Sequence, residues 1–574
     1  MNETELTALL REDGEIITER LDHWAKVAGG RAFFHYGEDD VTLTYADFGV
    51  RTDHIAGNLA ALGIGKGDRV SVFTLNPMVS ALMMFAIWKA GAVYCPVNFS
   101  YTGRLLSYQL NDTAPKLLLT DPALLSAVNQ VAGDLAAPPV VIVYDPPADA
   151  HDHVNDRDEV DSRFAESSWA SLIAPATRPD ISVRFDDPAN VVYTSGTTGP
   201  AKGVLQPYRW MAQYTFKLRQ PLTPDDVVYN DLPMYHVGGA IANVARAAWV
   251  GCEVAVWNRF SPGDFWKRVA SRGATTAILL DVMIPWLTKA PERPDDRRNT
   301  LNKVHMQPLP EHHALVARRF GLDFVTAGFG QTESGSPLGL LFEETAEGEG
   351  TPAELYRGRS HEEVKQRAAA AGMAVLSGGE DRPRRLMGHP APFMDVAVLD
   401  EQDQRCGPGE PGQLAVRPKL PGLIMSEYLG KPEATVAAWR NLWFHTGDAA
   451  MQLEDGMFAF LDRLGDRIRV RGENLSSFQV EDLLNQHTAV ALAAVFAIAS
   501  SEGDEDDVVA YVTVEQGAQL SEQALHDFAA ETMPKYMRPR YIRLIDEIPR
   551  TPTNKIEKYK LRERILKELG REPQ

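Results

Sequence analysis

The sequence predicts a layered α/β fold: a large N-terminal domain of α/β sheets with a small β subdomain, followed by a small α+β C-terminal domain. Three observations predict it. Short apolar runs alternate with helix-spaced segments from about Leu43 onward, as mostly parallel sheets require. The 574 residues are enough for several cores. A final block from about Asp466 repeats the mixture on a smaller scale.

Ile55 to Leu62 and Met78 to Ala90 carry helical spacing, while Arg69 to Thr74 and Val93 to Val97 are short apolar runs that read as strands. Asp145 to Arg163 is acidic and nearly free of apolar residues, so it is expected as a surface loop. Strand-like runs resume at Val191 to Tyr193, Val227 to Leu232, Val254 to Val256, Ala277 to Leu280 and Phe324 to Ala327. The stretch Glu343 to Arg385 is rich in Glu, Arg, Ala and Gly. It is expected to leave the core, with one exposed helix over Glu362 to Ala371. Asp395 to Leu399 and Gly412 to Val416 read as strands between Pro and Gly turns. The last block reads as helix Phe478–Leu484, strands Ala493–Ala499 and Val508–Val514, helix Ser521–Met533 and strand Tyr541–Leu544. Residues after Lys558 read as a solvated basic helix.

Composition narrows the function classes. With 44% hydrophobic and 24% charged residues the chain matches a globular enzyme. A formal net charge of −20 argues against a nucleic-acid binder. The three cysteines, Cys95, Cys252 and Cys406, are far apart and lack metal-site spacing, so a cytoplasmic setting is expected. The acidic N-terminus has no signal-peptide pattern, and no apolar run is long enough for a membrane span. An anionic ligand would need local positive charge. The tail from Lys535 offers some, with 12 Lys and Arg against 6 Asp and Glu.

The strongest chemical signal is VVYTSGTTGPAKGV at residues 191–204. An apolar strand enters a loop of hydroxyls and glycines closed by a lysine. Thr194, Ser195, Thr197 and Thr198 supply hydroxyls, Gly196 and Gly199 let amides turn inward, and Lys202 supplies the cation. The spacing is not that of a Walker loop.

This loop resembles the signature of the adenylate-forming superfamily of acyl-CoA synthetases, adenylation domains and luciferases, with Ala201 in place of the usual proline. Further segments resemble that family in order: TLTYADF (42–48), PMYH (233–236), GFGQTE (328–333), WFHTGD (443–448), the run from Asp462 to Glu481, and PRTPTNK (549–555). Within the superfamily, RGENLSSFQVE looks most like the crotonobetaine/carnitine CoA ligase group. A quaternary ammonium would call for carboxylates or an aromatic cage, and for the cage Tyr208, Trp210 and Trp286 are candidates.

The resemblance implies a division of labour. ATP would be held by residues 194–199 and Lys202, by Phe329, Gly330, Gln331 and Thr332, and by Asp448, Arg463 and Lys555. Phe329 would stack on adenine, and Asp448 with Arg463 would hold the ribose. Thr332 would contact the α-phosphate, and Glu333 with Thr194 would bind Mg²⁺. His236 would line the acyl pocket. Lys555 would bridge the carboxylate substrate and the α-phosphate, so the catalytic set is Lys555, Glu333, Thr332, His236 and Lys202. Gly465 would be the hinge between domains 1–464 and 465–574, and Gly472 with Arg469 and Arg471 would meet coenzyme A. The run Lys303 to Pro310 stands where the family has a G-A-P segment.

The chemistry needs such groups whatever the family. A carboxylate is a poor electrophile, and its attack on ATP brings two anions together; Mg²⁺ and lysines offset the repulsion. The expected reaction joins a carboxylic acid, ATP and coenzyme A into an acyl-CoA by way of an acyl-AMP. Transfer to a carrier-protein thiol and a non-catalytic nucleotide-binding protein are the competing readings. The expected partner is a small carboxylic acid, with no nucleic acid and no membrane span, and with a homodimer left open.

Overall fold

The computed structural model describes the chain apart from residues 195–200, 281–282, 379–384, 464–466, 471–472, 501–505, 534, 536, 551–555 and 572–574. Two large sheets and a smaller terminal unit carry the architecture.

The first sheet has eight strands in the order 427–428, 202–207, 188–194, 93–96, 69–73, 117–120, 140–143 and 165–168. From 188–194 outward its pairings are parallel. Lys202–Pro207 and Glu427–Tyr428 add antiparallel strands at the other edge. The helix Pro77–Lys89 behind it is buried nearly all round. Asn76 starts that helix by accepting from the amides of Met78 and Val79, with proline at the first position.

The second sheet has fifteen strands and changes character midway. Strands 32–36, 253–256, 227–230, 276–280, 303–307 and 324–331 pair in parallel. Past Gln331 the chain turns back as Gly335–Glu343, and the pairing becomes antiparallel through 386–390, 458–463, 443–452, 411–418 and 394–399. The expected small β subdomain is thus hydrogen-bonded to the parallel sheet through Leu338 opposite Pro390. One irregular rung falls in its strand 458–463: Asp448 faces Arg463 and Ala449 faces Asp462, but Ala450 faces Phe460, leaving Leu461 as an extra residue.

The terminal unit combines the hairpin 467–470/473–476 with a three-stranded sheet, 490–499, 506–514 and 541–544. Helices Ser477–Leu484, Glu522–Thr532 and Lys558–Glu568 accompany it. The last of these is not simply solvated, because Leu561 and Ile565 are buried against Phe496 and Tyr511.

Glu343 to Arg385 departs from expectation. Its helix, His361–Ala370, is not exposed on all faces: Val364 and Ala368 are fully buried with Phe324 and Leu341. Ala374–Ser377 then pairs in parallel with the strand Gly335–Glu343. A charged composition concealed a helix with one apolar stripe and a four-residue strand. The loop 145–163 contains no helix or strand, as expected, but is pinned by His151, which bonds Asp39, Tyr36 and Asn258.

Candidate active site at the turn between parallel and antiparallel strands

The GFGQTE segment lies where the second sheet reverses direction. Phe329 closes the regular pairing opposite Leu338, and a shift in register follows before Gln331 meets Gly335. Gly335 has φ +70°, and a side chain there would drive a Cβ to 1.9 Å from Gln213 Oε1. That oxygen accepts from the Ser336 amide at 3.2 Å. The turn therefore closes only around a glycine. The turn follows the carboxyl end of a parallel strand, the side of an α/β sheet on which ligands bind.

Three further contacts staple the turn to the first sheet. Gln206 Nε2 donates to Thr332 O at 2.8 Å, the Met425 amide donates to Glu333 O at 2.8 Å, and Tyr428 donates its hydroxyl proton to Glu333 Oε1 at 3.1 Å. Lys202 opens the strand that pairs with Glu427–Tyr428, and its Nζ lies 4.7 Å from the centre of the Tyr428 ring. A cation, an aromatic face and a carboxylate are thereby gathered from three distant segments. Burial, with the Glu333 carboxylate beside it, pushes the Tyr428 phenol well above its ordinary range, so it remains a donor.

Thr194 is the last residue of strand 188–194 and stands opposite Lys202, as the continuous motif required. Its base is braced by a network. Tyr193 donates to Asp112 Oδ2 at 2.6 Å, Lys431 Nζ pairs with Asp112 at 2.8 Å, and Tyr108 donates to Ala201 O at 2.9 Å.

On the other side of the turn, Gln331 Nε2 donates to Asp448 Oδ2 at 2.6 Å and to Thr446 O at 2.9 Å. Asp448 is 4% exposed and is the cross-strand partner of Arg463. The two residues expected to hold a ribose are thus neighbours on one ladder. Thr332 is buried, Gly330 and Glu333 are half-buried, and Phe329 is buried with the main core. His236 follows strand 227–230, accepts at Nδ1 from the Gly238 amide at 3.2 Å, and precedes the π-helical segment Gly238–Ala245.

Other expected residues fall elsewhere. Ser195, Gly196, Thr197, Thr198, Gly199, Gly465, Arg471, Gly472 and Lys555 lie outside the described residues, and Arg463 and Arg469 are described only by their backbone. The three aromatic candidates for a cage are not gathered. Tyr208 is fully buried and donates to Trp88 O, Trp210 is buried against Tyr214, and Trp286 is 45% exposed and stacked on Phe260. Lys303–Gln307 forms an interior strand of the second sheet, continued by Pro308.

Sequence reading missed Tyr428, Gln206 and the Asp112–Lys431 brace. Tyr428 belongs to a two-residue strand, Glu427–Tyr428, whose only sequence signal is one aromatic in SEYLG. No helix among the described residues is long and apolar enough to cross a membrane.

The family described as AMP-binding enzyme matches residues 21–429, and the one described as AMP-binding enzyme C-terminal domain matches 479–555. A crotonobetaine/carnitine–CoA ligase of Citrobacter koseri is 25% identical over 561 residues, covering 96% of this chain and 99% of its own. The Salmonella typhi protein of the same name is 26% identical over 529 residues, 91% and 93% of the two chains. Among solved structures, ATP-bound MatB from Rhodopseudomonas palustris superposes with TM-score 0.74 at 21% identity, over 96% of this chain and 99% of its own. The Bacillus subtilis o-succinylbenzoate CoA synthetase, in complex with its acyl-adenylate intermediate, gives 0.73 at 22%, over 94% and 97%. With the segment 191–204 and the GFGQTE turn inside the first matched span, and the three-stranded sheet of the terminal unit inside the second, this chain belongs to the family of AMP-binding enzymes.

Proposed function

We propose that this protein is an ATP-dependent, AMP-forming acyl-CoA ligase. The observation that carries the reading is the convergence of Lys202, Tyr428 and Glu333 on one side of the turn at 330–333 with Gln331 and Asp448 on the other. This arrangement fits a nucleotide laid across the turn, with phosphates toward Lys202 and ribose toward Asp448.

In the first half reaction a carboxylate oxygen of the acid attacks the α-phosphorus of ATP, and diphosphate leaves. Lys202 would neutralise the departing phosphates, and Thr332 would bond the α-phosphate. Lys555, by the motif that contains it, would draw the two anions together. Glu333 fits a hard divalent cation, being half-buried with Tyr428 donating to one of its oxygens. With Thr194 near the loop, it would hold Mg²⁺, which supplies charge neutralisation for the phosphates. Positioning and electrostatics carry this step. In the second, the thiol sulfur of coenzyme A bonds to the acyl carbonyl carbon, the acyl–phosphate bond breaks, and AMP leaves.

Rotation of residues 465–574 relative to 1–464 about Gly465 would exchange Lys555 for the segment around Arg469, Arg471 and Gly472 between the two steps. A cytoplasmic setting belongs to the same reading and is supported by three cysteines that are all free.

The test is diphosphate release over a panel of carboxylic acids, with and without coenzyme A, on the wild type and on Lys555→Ala. Release that depends on the acid, and AMP plus thioester only when coenzyme A is added, is the expected result. Thioester formation by Lys555→Ala from supplied acyl-AMP separates the two steps. Absence of release with every acid would overturn the proposal. Release with a carrier-protein thiol as the only effective acceptor would move it to the alternative class.

A further inference from the structure

The strand pair that carries Thr194 and Lys202 has two faces, and the proposed nucleotide site uses only one of them. Residues directly opposite on paired strands share a face, and successive residues alternate. Thr194 stands opposite Lys202 and Tyr428 opposite Val204, so all three belong to the face on which Tyr428 meets Glu333. Tyr193, opposite Gly203, belongs to the other face. There it packs with Val191, Leu205 and Leu429 against Val93 and Cys95.

On that back face one carboxylate gathers the strands. Asp112, near the end of the helix Gly103–Thr113, accepts from the Tyr193 hydroxyl at 2.6 Å, and Lys431 Nζ donates to both its oxygens at 2.8 and 2.9 Å. Lys431 arrives from the far edge of the sheet: the Leu429 amide donates to Gly203 O at 2.8 Å, and the Lys431 amide to Tyr428 O at 2.9 Å. Strand 202–207 lies between 188–194 and 427–428, so Asp112 joins its two neighbours by passing over it at Gly203. The absence of a side chain makes that crossing feasible. A Cβ on Gly203 would lie 2.9 Å from Val191 Cγ1 and 3.0 Å from Tyr193 Cζ.

A second side chain one helical turn earlier supports the same strand. Tyr108 donates to Ala201 O at 2.9 Å, directly before Lys202, and its ring centre lies 5.6 Å from Lys431 Nζ. Both bonds to Asp112 are charge-assisted, and the pair is shielded, with side chains 19% and 25% exposed. Burial, and then the Asp112 carboxylate, pushes the Tyr193 phenol well above its ordinary range, so it remains a donor. Every anchor of this clamp is next to a residue of the site or a few positions from it. Tyr193 precedes Thr194, Gly203 follows Lys202, and Lys431 closely follows Tyr428.

We propose that Asp112 is a positioning residue: it touches no substrate, but by clamping three strands from behind it sets Lys202 against Tyr428 and Glu333 for the grip on the β- and γ-phosphates of ATP. The inference rests on the acyl-CoA ligase reading above. It assigns Asp112 to the first half reaction alone, because acyl-AMP brings no β- or γ-phosphate to Lys202.

The experiment uses the acid that releases most diphosphate in the panel above. It measures KM for MgATP and inhibition by diphosphate in AMP formation and, separately, thioester formation from supplied acyl-AMP. The proteins are the wild type, Asp112→Ala, Asp112→Asn and Tyr193→Phe. Asp112→Ala should raise KM for MgATP roughly tenfold and weaken diphosphate inhibition in parallel. KM for the acid and the thioester step should keep their wild-type values. Asp112→Asn can still accept from Tyr193 but loses the ion pair, and Tyr193→Phe keeps the ion pair but loses the phenol, so each should fall between. A merely structural carboxylate would depress both half reactions together or alter only the melting temperature. Either result, or an unchanged KM for MgATP, overturns the inference and leaves the ligase reading standing. No AMP from the wild type with any acid would take both away. Should Asp112→Ala fail to fold, Asp112→Asn and Tyr193→Phe decide by the same two readouts.

Discussion

Lys217 offers a test of the fold that does not depend on the reaction. It lies on the helix Tyr208–Arg219, is 3% exposed, and donates to His389 O at 3.1 Å and Pro337 O at 3.4 Å. Burial alone pulls its ammonium from 10.5 down to about 7. Above pH 7 the folded chain has released this proton, while the unfolded chain keeps it until about 10.5. The unfolded state then binds one more proton, so this residue makes stability rise with pH across that window. The slope is about 1.4 kcal/mol per pH unit, or just under 3 kcal/mol between pH 7.5 and 9.5. Below pH 7 both states are protonated and the slope vanishes. Lys217→Met, similar in length but without the charge, should remove this contribution. Thermal or urea unfolding of both proteins at pH 7.5, 8.5 and 9.5 reads it as a difference of slopes, in which other titrating groups cancel. The wild type should gain stability relative to the variant by roughly one proton's worth per unit. Parallel pH profiles would refute the argument that a neutral lysine is buried there.

Three other substitutions examine the site and its supports. Gly335→Ala introduces a methyl at 1.9 Å from Gln213 Oε1 in a left-handed backbone, and should lower the unfolding temperature by several degrees while abolishing ATP-dependent AMP formation; an unaltered melting curve would contradict the turn geometry. Tyr428→Phe keeps the ring over Lys202 but removes the donor to Glu333, so KM for MgATP should rise several-fold with unfolding unchanged. Equal KM values would show that the hydroxyl does not help to shape the Glu333 site. Val364→Ala, in a helix expected to be exposed but buried in the structure, should cost about 1–2 kcal/mol in a denaturation curve. A cost near zero would return that segment to the surface.

The strands and helices that the sequence disclosed are those with strong periodicity or a buried apolar run, such as Arg69–Phe73 and Pro77–Lys89. The motif residues were legible for a related reason: Thr194 and Lys202 are close in sequence and stand opposite each other on one strand pair, and Gln331, Thr332 and Glu333 share one turn, so local order already places them together. What escaped notice depends on contacts between distant segments. Tyr428 reaches Glu333 only because a two-residue strand is added beside Lys202, and nothing in SEYLG announces that pairing. The segment 343–385 misled for the opposite reason. Its many charges are real, but two buried apolar positions, Val364 and Ala368, suffice to fasten the helix to the sheet.

The extra residue Leu461 has a consequence for the residue that faces Asp448. Side chains alternate from face to face, so a register shifted by one residue changes every cross-strand neighbour beyond it. Opposite Asp448 the strand presents Arg463 because Leu461 is passed over in the ladder. Were Leu461 paired with Ala449 in an unbroken ladder, Asp462 would stand opposite Asp448, and two like charges would share one rung. A local defect in the pleat thus acts as a phase marker, giving that aspartate an arginine rather than a second aspartate as its neighbour.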